Sequence, residues 1–371
     1  MIKTFKYRLF PNKTQEANLE NLFEATRYLY NCALEHRILC WKQWHKYVSY
    51  YEQASSVREI RGLDEEIAKI NYSCYRYTLV RLDRAFRSFF RRVKNGETPG
   101  FPRFKSRERF RSVVFPAYGK GIKIKGKVLY VQNVGNIKIK LHRQTKGIIK
   151  TVAIKEHNGK FYACFSCGEV PELTLAPCRK EVGIDVGIKS FAVFSDGQVI
   201  DNPKYLKQSE AKLKELQQQH SKKRSKRSKK KFSSLHQKVS NQRKDFQHKL
   251  SRKIVNEFGY IYVEKLHPRE MVKDNFRSIN RFINDAAWGQ FFSFLRYKAE
   301  WAGRTMAEVA PKNTTQMCSK CGKIVPKDLS VRVHDCPHCG LVMDRDLNAA
   351  TNIFGLGHSL CLEQKTLLYL A

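Results

Sequence analysis

The chain has 371 residues, and 70 Lys and Arg against 34 Asp and Glu give it a formal net charge of +36. That length can bury a large core in two or three domains, and self-repulsion on that scale calls for a polyanionic partner, nucleic acid first. An aromatic content of 12% excludes a merely disordered basic tail.

Lys3 to Leu9 alternates and reads as a strand closed by Pro11 and Asn12. Thr14 is expected to cap a helix along which Leu19, Leu22, Phe23, Thr26, Tyr30, Ala33 and Leu34 recur at helical spacing. A second amphipathic helix is expected from Tyr72 to about Val93. It stacks Leu79, Leu82, Ala85, Phe86, Phe89 and Phe90 on a core stripe. Its other face carries Arg76, Arg81, Arg84, Arg87, Arg91 and Arg92, either solvated or phosphate-binding; the net charge favours phosphate. Gly96 to Pro102 breaks the pattern. From Val113 to Cys167, short alternating runs predict a small antiparallel β unit that the N-terminal strand joins, with the helices inserted between.

A new domain opens near Lys180. Val182 to Val186 and Ser190 to Phe194 read as the strands of a hairpin, with a turn at Asp196 and Gly197. Ser209 to Asn256 reads as long polar helix containing the basic block Lys222 to Lys231, by itself most simply a solvated segment. Tyr260 to Val263 returns to the core as a strand, Ala286 to Ala302 reads as an aromatic-rich helix, and Leu347 to Phe354 as a last one. The start from Met1 to Pro11 has no apolar signal region and no apolar run is long enough to span a bilayer, so the cytosol is expected.

Three acids stand where chemistry could use them. Asp185 ends one strand between Gly183 and Gly187, which would leave room for a phosphate backbone; Glu264 ends another; Asp346 starts a helix. Carboxylates gathered by folding repel one another unless cations neutralise them. Two Mg²⁺ or Mn²⁺ ions would do so while clamping both oxygens of a phosphodiester displacement. Acids at strand ends and a helix start suit a ribonuclease-H-like fold. Any one of them alone could be an ordinary cap or surface residue, and Asp344 is best read as a helix-start cap or as a group supporting the metal ligands from behind.

In the cytosol paired cysteines hold metal more often than they form disulfides. Cys318 and Cys321, then Cys336 and Cys339, form two C-x-x-C pairs on either side of a fourteen-residue arm (322–335), the pattern of a closed structural zinc site. His334 and His338 are surplus to it. Cys164 and Cys167 are three apart on an alternating strand, hence on opposite faces, and read as core cysteines. The sequence has no nucleotide-triphosphate motif, so unwinding duplex DNA would need another source of strand separation, such as pairing with an RNA guide.

The stretches Gly183–Gly187, Val263–Leu266, Cys318–Cys321, Cys336–Cys339 and Asp344–Ala350 closely resemble the TnpB family, transposon-encoded RNA-guided nucleases related to type V CRISPR effectors. Weaker matches are Tyr30 with Asn31, Leu82–Phe86 and Phe101–Lys105; the resemblance reaches about Gly357. It implies a fold mixing α/β and α+β parts, a RuvC (ribonuclease-H-like) nuclease domain with a zinc ribbon, preceded by a wedge-type β-barrel with an inserted helical recognition lobe. The implied boundaries are 1–15 for the first barrel strand, 16–98 for the lobe and 99–179 for the rest of the barrel. RuvC would occupy 180–314 with a basic insert at 204–256, the ribbon 315–340, the last RuvC motif 341–357, and a tail that could be disordered 358–371.

The resemblance further implies Asp185, Glu264 and Asp346 as catalytic and magnesium-binding, a guide RNA from the transposon end, and double-stranded target DNA flanked by a short motif. Candidate nucleic-acid contacts are Tyr30, Asn31, Arg76, Arg84, Lys222, Lys223, Arg224, Lys229, Lys230 and Lys231. Tyr30 and Tyr72 could equally be core. Arg76 departs from the glutamine of some relatives, and Arg favours guanine edges where Gln favours adenine. The expected protein is a prokaryotic cytoplasmic monomer, associated with the nucleoid when on DNA. The rivals are a guide-directed repressor of the same fold, a zinc-ribbon transcription factor and a junction resolvase.

Overall fold

The computed structural model describes residues 1–63, 67–68, 70–172, 174–266, 271, 276–328 and 330–370. They fall into two compact units, residues 1–171 and 172–371.

In the first unit β1 (Lys3–Phe10) leads into the helix α1 (Lys13–Trp44). The cap is Asn12 rather than Thr14: its side chain accepts from the Gln15 N–H at 2.8 Å, and Gln15 answers through the Asn12 N–H at 3.1 Å. That reciprocal pair satisfies two otherwise unpaired donors. Helices α2 (Tyr50–Leu63) and α3 (Tyr72–Lys94) follow. Then come β2 (Ser112–Phe115), β3 (Ile122–Lys125), β4 (Val128–Val131), β5 (Gly135–Lys140), β6 (Ile148–His157) and β7 (Lys160–Gly168). All pair antiparallel in the order β2-β6-β7-β1-β5-β4-β3, so the first strand does join the later ones across the inserted helices. Phe5, Tyr7 and Leu9 pair with Phe165, Ala163 and Phe161 on one fully buried face, which Leu19, Leu22 and Phe23 of α1 cover. The alternation legible in β1 is therefore the alternation of core and surface. Cys167 lies in that core and Cys164 on the partly exposed face of β7, as the strand period requires.

The second unit is built on a five-stranded sheet of order β10-β9-β8-β11-β12. Its strands are β8 (Glu181–Asp185), β9 (Ser190–Phe194), β10 (Val199–Asp201), β11 (Tyr260–Glu264) and β12 (Thr305–Val309). The first three form an antiparallel meander; β11 and β12 run parallel to β8. Between β10 and β11 lie α4 (Tyr205–Gln208), α5 (Glu210–Lys223) and α6 (Lys226–Glu257). The expected continuous polar helix is thus broken. Arg224 adopts a left-handed conformation (φ 41°) and Ser225 caps α6, so the basic block wraps a helix–helix corner. The expected aromatic helix is α8 (Trp288–Trp301), and left-handed Ala287 separates it from a preceding helix, α7 (Arg277–Ala286).

A two-stranded ribbon, β13 (Val333–Asp335) and β14 (Val342–Asp344), precedes α9 (Arg345–Leu370). This last helix extends well beyond Phe354, as far as Leu370. Val182, Ile184, Ile261 and Val263 are buried, packing with α6 and α8 into one core, while Tyr262, Val309, Ile353 and Cys361 form a second cluster beneath α9. Strands covered on both faces explain the unbroken apolar runs in the sequence. Gly183 has a specific part in this. A Cβ there would land on the Ala350 carbonyl and the Phe354 backbone, so the glycine admits a helix, not a phosphate backbone as expected. Gly357 admits the Tyr262 ring in the same way.

Candidate active site and cysteine cluster

Asp185 and Glu264 leave the carboxyl ends of two parallel strands in adjacent register, since Ile184 pairs with Val263. Ligands bind open parallel sheets at such ends. Asp346 lies in the first turn of α9, whose cap is Asp344: its Oδ1 accepts the N–H groups of Asp346 at 2.8 Å and Leu347 at 3.1 Å. Close packing of α9 on the sheet through Gly183 delivers the third acid to the other two.

Burial drives the Asp185 carboxyl well above the ordinary aspartate range, and the charges of Asp346 and then Glu264 raise it further; the Val186 N–H and Arg345 act against them. Burial also raises Glu264, opposed by a 2.9 Å hydrogen bond from the Thr314 hydroxyl to its Oε1. Asp346 Oδ1 is held by Arg345 through Nη2 at 2.8 Å and Nε at 3.0 Å. The charges of Asp346 and Glu264 both reach the Asp185 carboxyl, so the three acids face one another electrostatically. Each acid keeps a protein partner of its own, and burial disfavours the charges of Asp185 and Glu264. An all-oxygen donor set that resists ionising without a counter-charge fits hard divalent cations.

The acids are tied to the cysteine segment by three buried side chains. Asn352 of α9 donates to the carbonyls of Thr314 at 2.8 Å and Met317 at 2.7 Å. Asn348 donates to Met317 at 2.8 Å and accepts the Ser319 N–H at 2.9 Å. Thr314 then reaches Glu264. The helix carrying one acid therefore clamps the turn segment that steadies another. The sequence signals only the Asn348–Asn352 spacing, one helical turn; Thr314 carries no motif, and Arg345 lies inside the quoted motif without its pairing being visible.

Cys318, Cys321, Cys336 and Cys339 place their sulfurs within 4.8 Å, with Cys318–Cys339 and Cys321–Cys336 each at 3.6 Å. Burial opposes ionisation of Cys318, but the N–H groups of Cys321 and Lys320, with His334 and Cys339, bring its thiol down to about 5. The Leu341 N–H favours the Cys339 thiolate, yet burial and the three other cysteines push that thiol up to about 12. The cage accepts one negative charge readily and resists the next, as a tetrahedral thiolate set awaiting a divalent ion should. Four sulfurs fit closed structural zinc. His334 is fully buried beside the cluster and contacts Lys327.

The candidate nucleic-acid contacts divide. Tyr30 is core, its ring 5.6 Å from that of Phe110. Asn31 commits both ends of its amide to Lys105, donating to the carbonyl at 3.1 Å and accepting the N–H at 2.8 Å, so it pins the Phe101–Lys105 segment and has no free edge for a base. Arg76 and Arg84 are exposed, each bonded to a tyrosine hydroxyl, Tyr50 at 3.1 Å and Tyr77 at 3.2 Å. The arginine face is not uniform. Arg81 is partly buried over the Phe110 ring at 4.1 Å and Arg87 pairs with Asp83 at 2.7 Å, whereas Arg91 and Arg92 are exposed. Lys222, Lys223, Arg224, Lys229, Lys230 and Lys231 are all exposed around the α5–α6 corner. Beside them a cleft of about 800 Å³ is lined by Lys212, Arg227, Lys230, Lys231 and Lys238 with Leu216 and Leu235.

A strongly basic chain with acids at the ends of parallel strands and a four-cysteine cluster fits the class of nucleases. Family models described as "Helix-turn-helix domain", "Probable transposase" and "Cas12f1-like, TNB domain" match residues 1–46, 165–275 and 288–353. The first of these spans a strand and one long helix here. The chain is 30% identical to a Streptomyces pristinaespiralis protein named "Putative RNA-guided DNA endonuclease", over 97% of this chain and 90% of that one. It is 28% identical to "Putative RNA-guided DNA endonuclease InsQ" of Escherichia coli K12, over 96% and 93%. "TnpB-like protein MJ0751" of Methanocaldococcus jannaschii is 33% identical over 46% of this chain and 66% of its own length. The chain belongs to the TnpB family of transposon-encoded RNA-guided nucleases.

Proposed function

We propose that this protein is an RNA-guided DNA endonuclease that hydrolyses phosphodiesters at a RuvC-type site formed by Asp185, Glu264 and Asp346. The observation that carries the reading is the Asp185 carboxyl, forced upward by burial and by the two other acids. A site that disfavours its own charges without a counter-ion is built for divalent cations, not for a salt bridge. The meander followed by two parallel strands supports the ribonuclease-H-like assignment. Two Mg²⁺ or Mn²⁺ ions would supply the attacking oxygen and neutralise the leaving one. The chain's own residues do the rest. Asp185 and Glu264 fix one wall of the site, Thr314 sets the rotation of the Glu264 carboxylate, and Arg345 holds Asp346 Oδ1. Cys318, Cys321, Cys336 and Cys339 would hold one structural zinc, with no ligand position left open for chemistry.

The guide RNA, derived from the transposon end, would pair with one strand of duplex DNA beside a short motif read by the N-terminal unit. Exposed cations such as those of the α5–α6 corner would bind phosphates without reading sequence. With Asn31 committed to Lys105, Arg76 is the remaining candidate reader among the two.

Asp185→Ala, Glu264→Ala and Asp346→Ala should each lower guide-directed cleavage by several orders of magnitude and leave RNA and DNA binding within a few-fold. Cleavage by the Asp185→Ala protein at the wild-type rate would sink the assignment. A wild-type protein that binds guide and target in Mg²⁺ but never cuts would be a guide-directed binding protein instead.

A further inference from the structure

The junction of α1 and α2 exposes an unusual set of rings. Trp41 is 58%, Trp44 67%, Tyr47 62% and Tyr51 80% exposed. Single exposed apolar residues need no explanation, but four large aromatics within one eleven-residue corner (41–51) do. The frame beneath them is fixed. His45 is left-handed (φ 49°), its N–H bonds the Trp41 carbonyl at 3.0 Å, and the Lys46 N–H bonds that of Cys40 at 3.3 Å, while Val48 is buried. Trp41 and Trp44 are therefore presented on a closed helix terminus and Tyr51 on the first turn of α2, with Tyr47 in the short connection between them.

The surroundings are basic. Lys42, His45 and Lys46 are interleaved with the rings, and Arg76 reaches the corner through the Tyr50 hydroxyl. The nearby acid Glu52 is already engaged by the Ser49 N–H at 2.7 Å and by Lys46 at 3.7 Å. Rings alternating with cations form a platform on which bases stack while phosphates are neutralised. A duplex hides its base faces, so the occupant should be unpaired. A second copy of a chain with a formal charge of +36 would be repelled.

We infer that the corner formed by Trp41, Trp44, Tyr47 and Tyr51 is a sequence-tolerant stacking surface for unpaired nucleotides. It belongs to the first unit, whereas the acids and the α5–α6 corner belong to the second. The inference rests on the functional reading only in taking nucleic acid as the ligand.

The test compares two ligands on the full chain freed of nucleic acid: a mixed-sequence single-stranded RNA and an abasic strand of equal length and charge. Wild type should bind the base-containing strand more tightly and quench tryptophan fluorescence with it. Trp41→Ala/Trp44→Ala should lose about tenfold in affinity for each ring removed, for that strand alone, and bind the abasic strand unchanged. Trp41→Phe/Trp44→Phe should recover most of the loss. If wild type binds both strands equally, or if the alanine variant weakens both alike, the corner is not a stacking surface. Sedimentation showing a dimer that the alanine variant dissolves would assign the rings to a second copy and overturn the inference. Failure to bind either strand would remove the functional reading itself, a result distinct from the others.

Discussion

Asp185 keeps its proton to a higher pH than free aspartate does, because burial, Asp346 and Glu264 all oppose its charge. A carboxylate whose folded pKa is raised destabilises the fold once it ionises. Below the unfolded pKa, about 3.9, both states are protonated and nothing is lost. Above it the unfolded chain ionises first, so the penalty grows with pH and levels off when the folded carboxyl ionises too. Metal-free Asp185→Asn should therefore melt above wild type at neutral pH, and the gap should close on acidification and on adding Mg²⁺. Melting curves with a gap independent of pH would contradict the repulsion. Thr314 gives a second prediction. Thr314→Val removes the donor to Glu264, and cleavage should fall about 10–100-fold, as for other groups that orient metal-binding carboxylates. More Mg²⁺ should be needed for half-maximal rate, and Thr314→Ser should restore both. A Mg²⁺ titration of Thr314→Val that overlays wild type would remove Thr314 from the site.

Among the elements, α9 does the most. It packs on β8 through Gly183 and on Tyr262 through Gly357, and its His358 Nδ1 meets Glu181 at 2.7 Å. Gly183→Ala should cost about 1–3 kcal/mol in denaturant unfolding, because backbone atoms cannot yield to the new methyl. Gly187→Ala, whose Cβ would lie 3.1 Å from the Ser190 carbonyl oxygen, should cost clearly less. Equal midpoints for the two would mean that α9 does not sit as described. This element also marks how far sequence could be read. Gly183 announced a close approach, but the approaching group comes from residues more than a hundred positions later, so a phosphate and a helix looked alike. The cysteines were legible because a ligand knuckle is local and its spacing is its geometry. Asn31 and Arg81 were not, because helical periodicity says which residues share a face and not what meets them. The corner at Arg224 was hidden because a polar, charged stretch keeps helical propensity on both sides of a single left-handed residue.

Over the whole molecule, the formal charge of +36 makes binding an ionic-strength problem. Replacing Lys222, Lys223, Lys229, Lys230 and Lys231 with Gln should flatten the dependence of log affinity on log salt. The slope should fall by about 0.9 for each duplex phosphate no longer neutralised, or about 0.7 for a phosphate of a single strand. The size of the fall reports how many phosphates the corner neutralises, and an unchanged slope would return it to bare solvent. Sheet order carries a further consequence for synthesis. A ribosome delivers Asp185 early and Glu264 next, and both can settle into a sheet as soon as β11 emerges. Asp346 comes only with the final helix, after the ribbon has closed. A nascent or prematurely terminated chain ending before α9 would hold two of the acids and most of the basic surface, able to sit on nucleic acid yet unable to cut it. Translation itself would then act as a safety catch, arming the blade last.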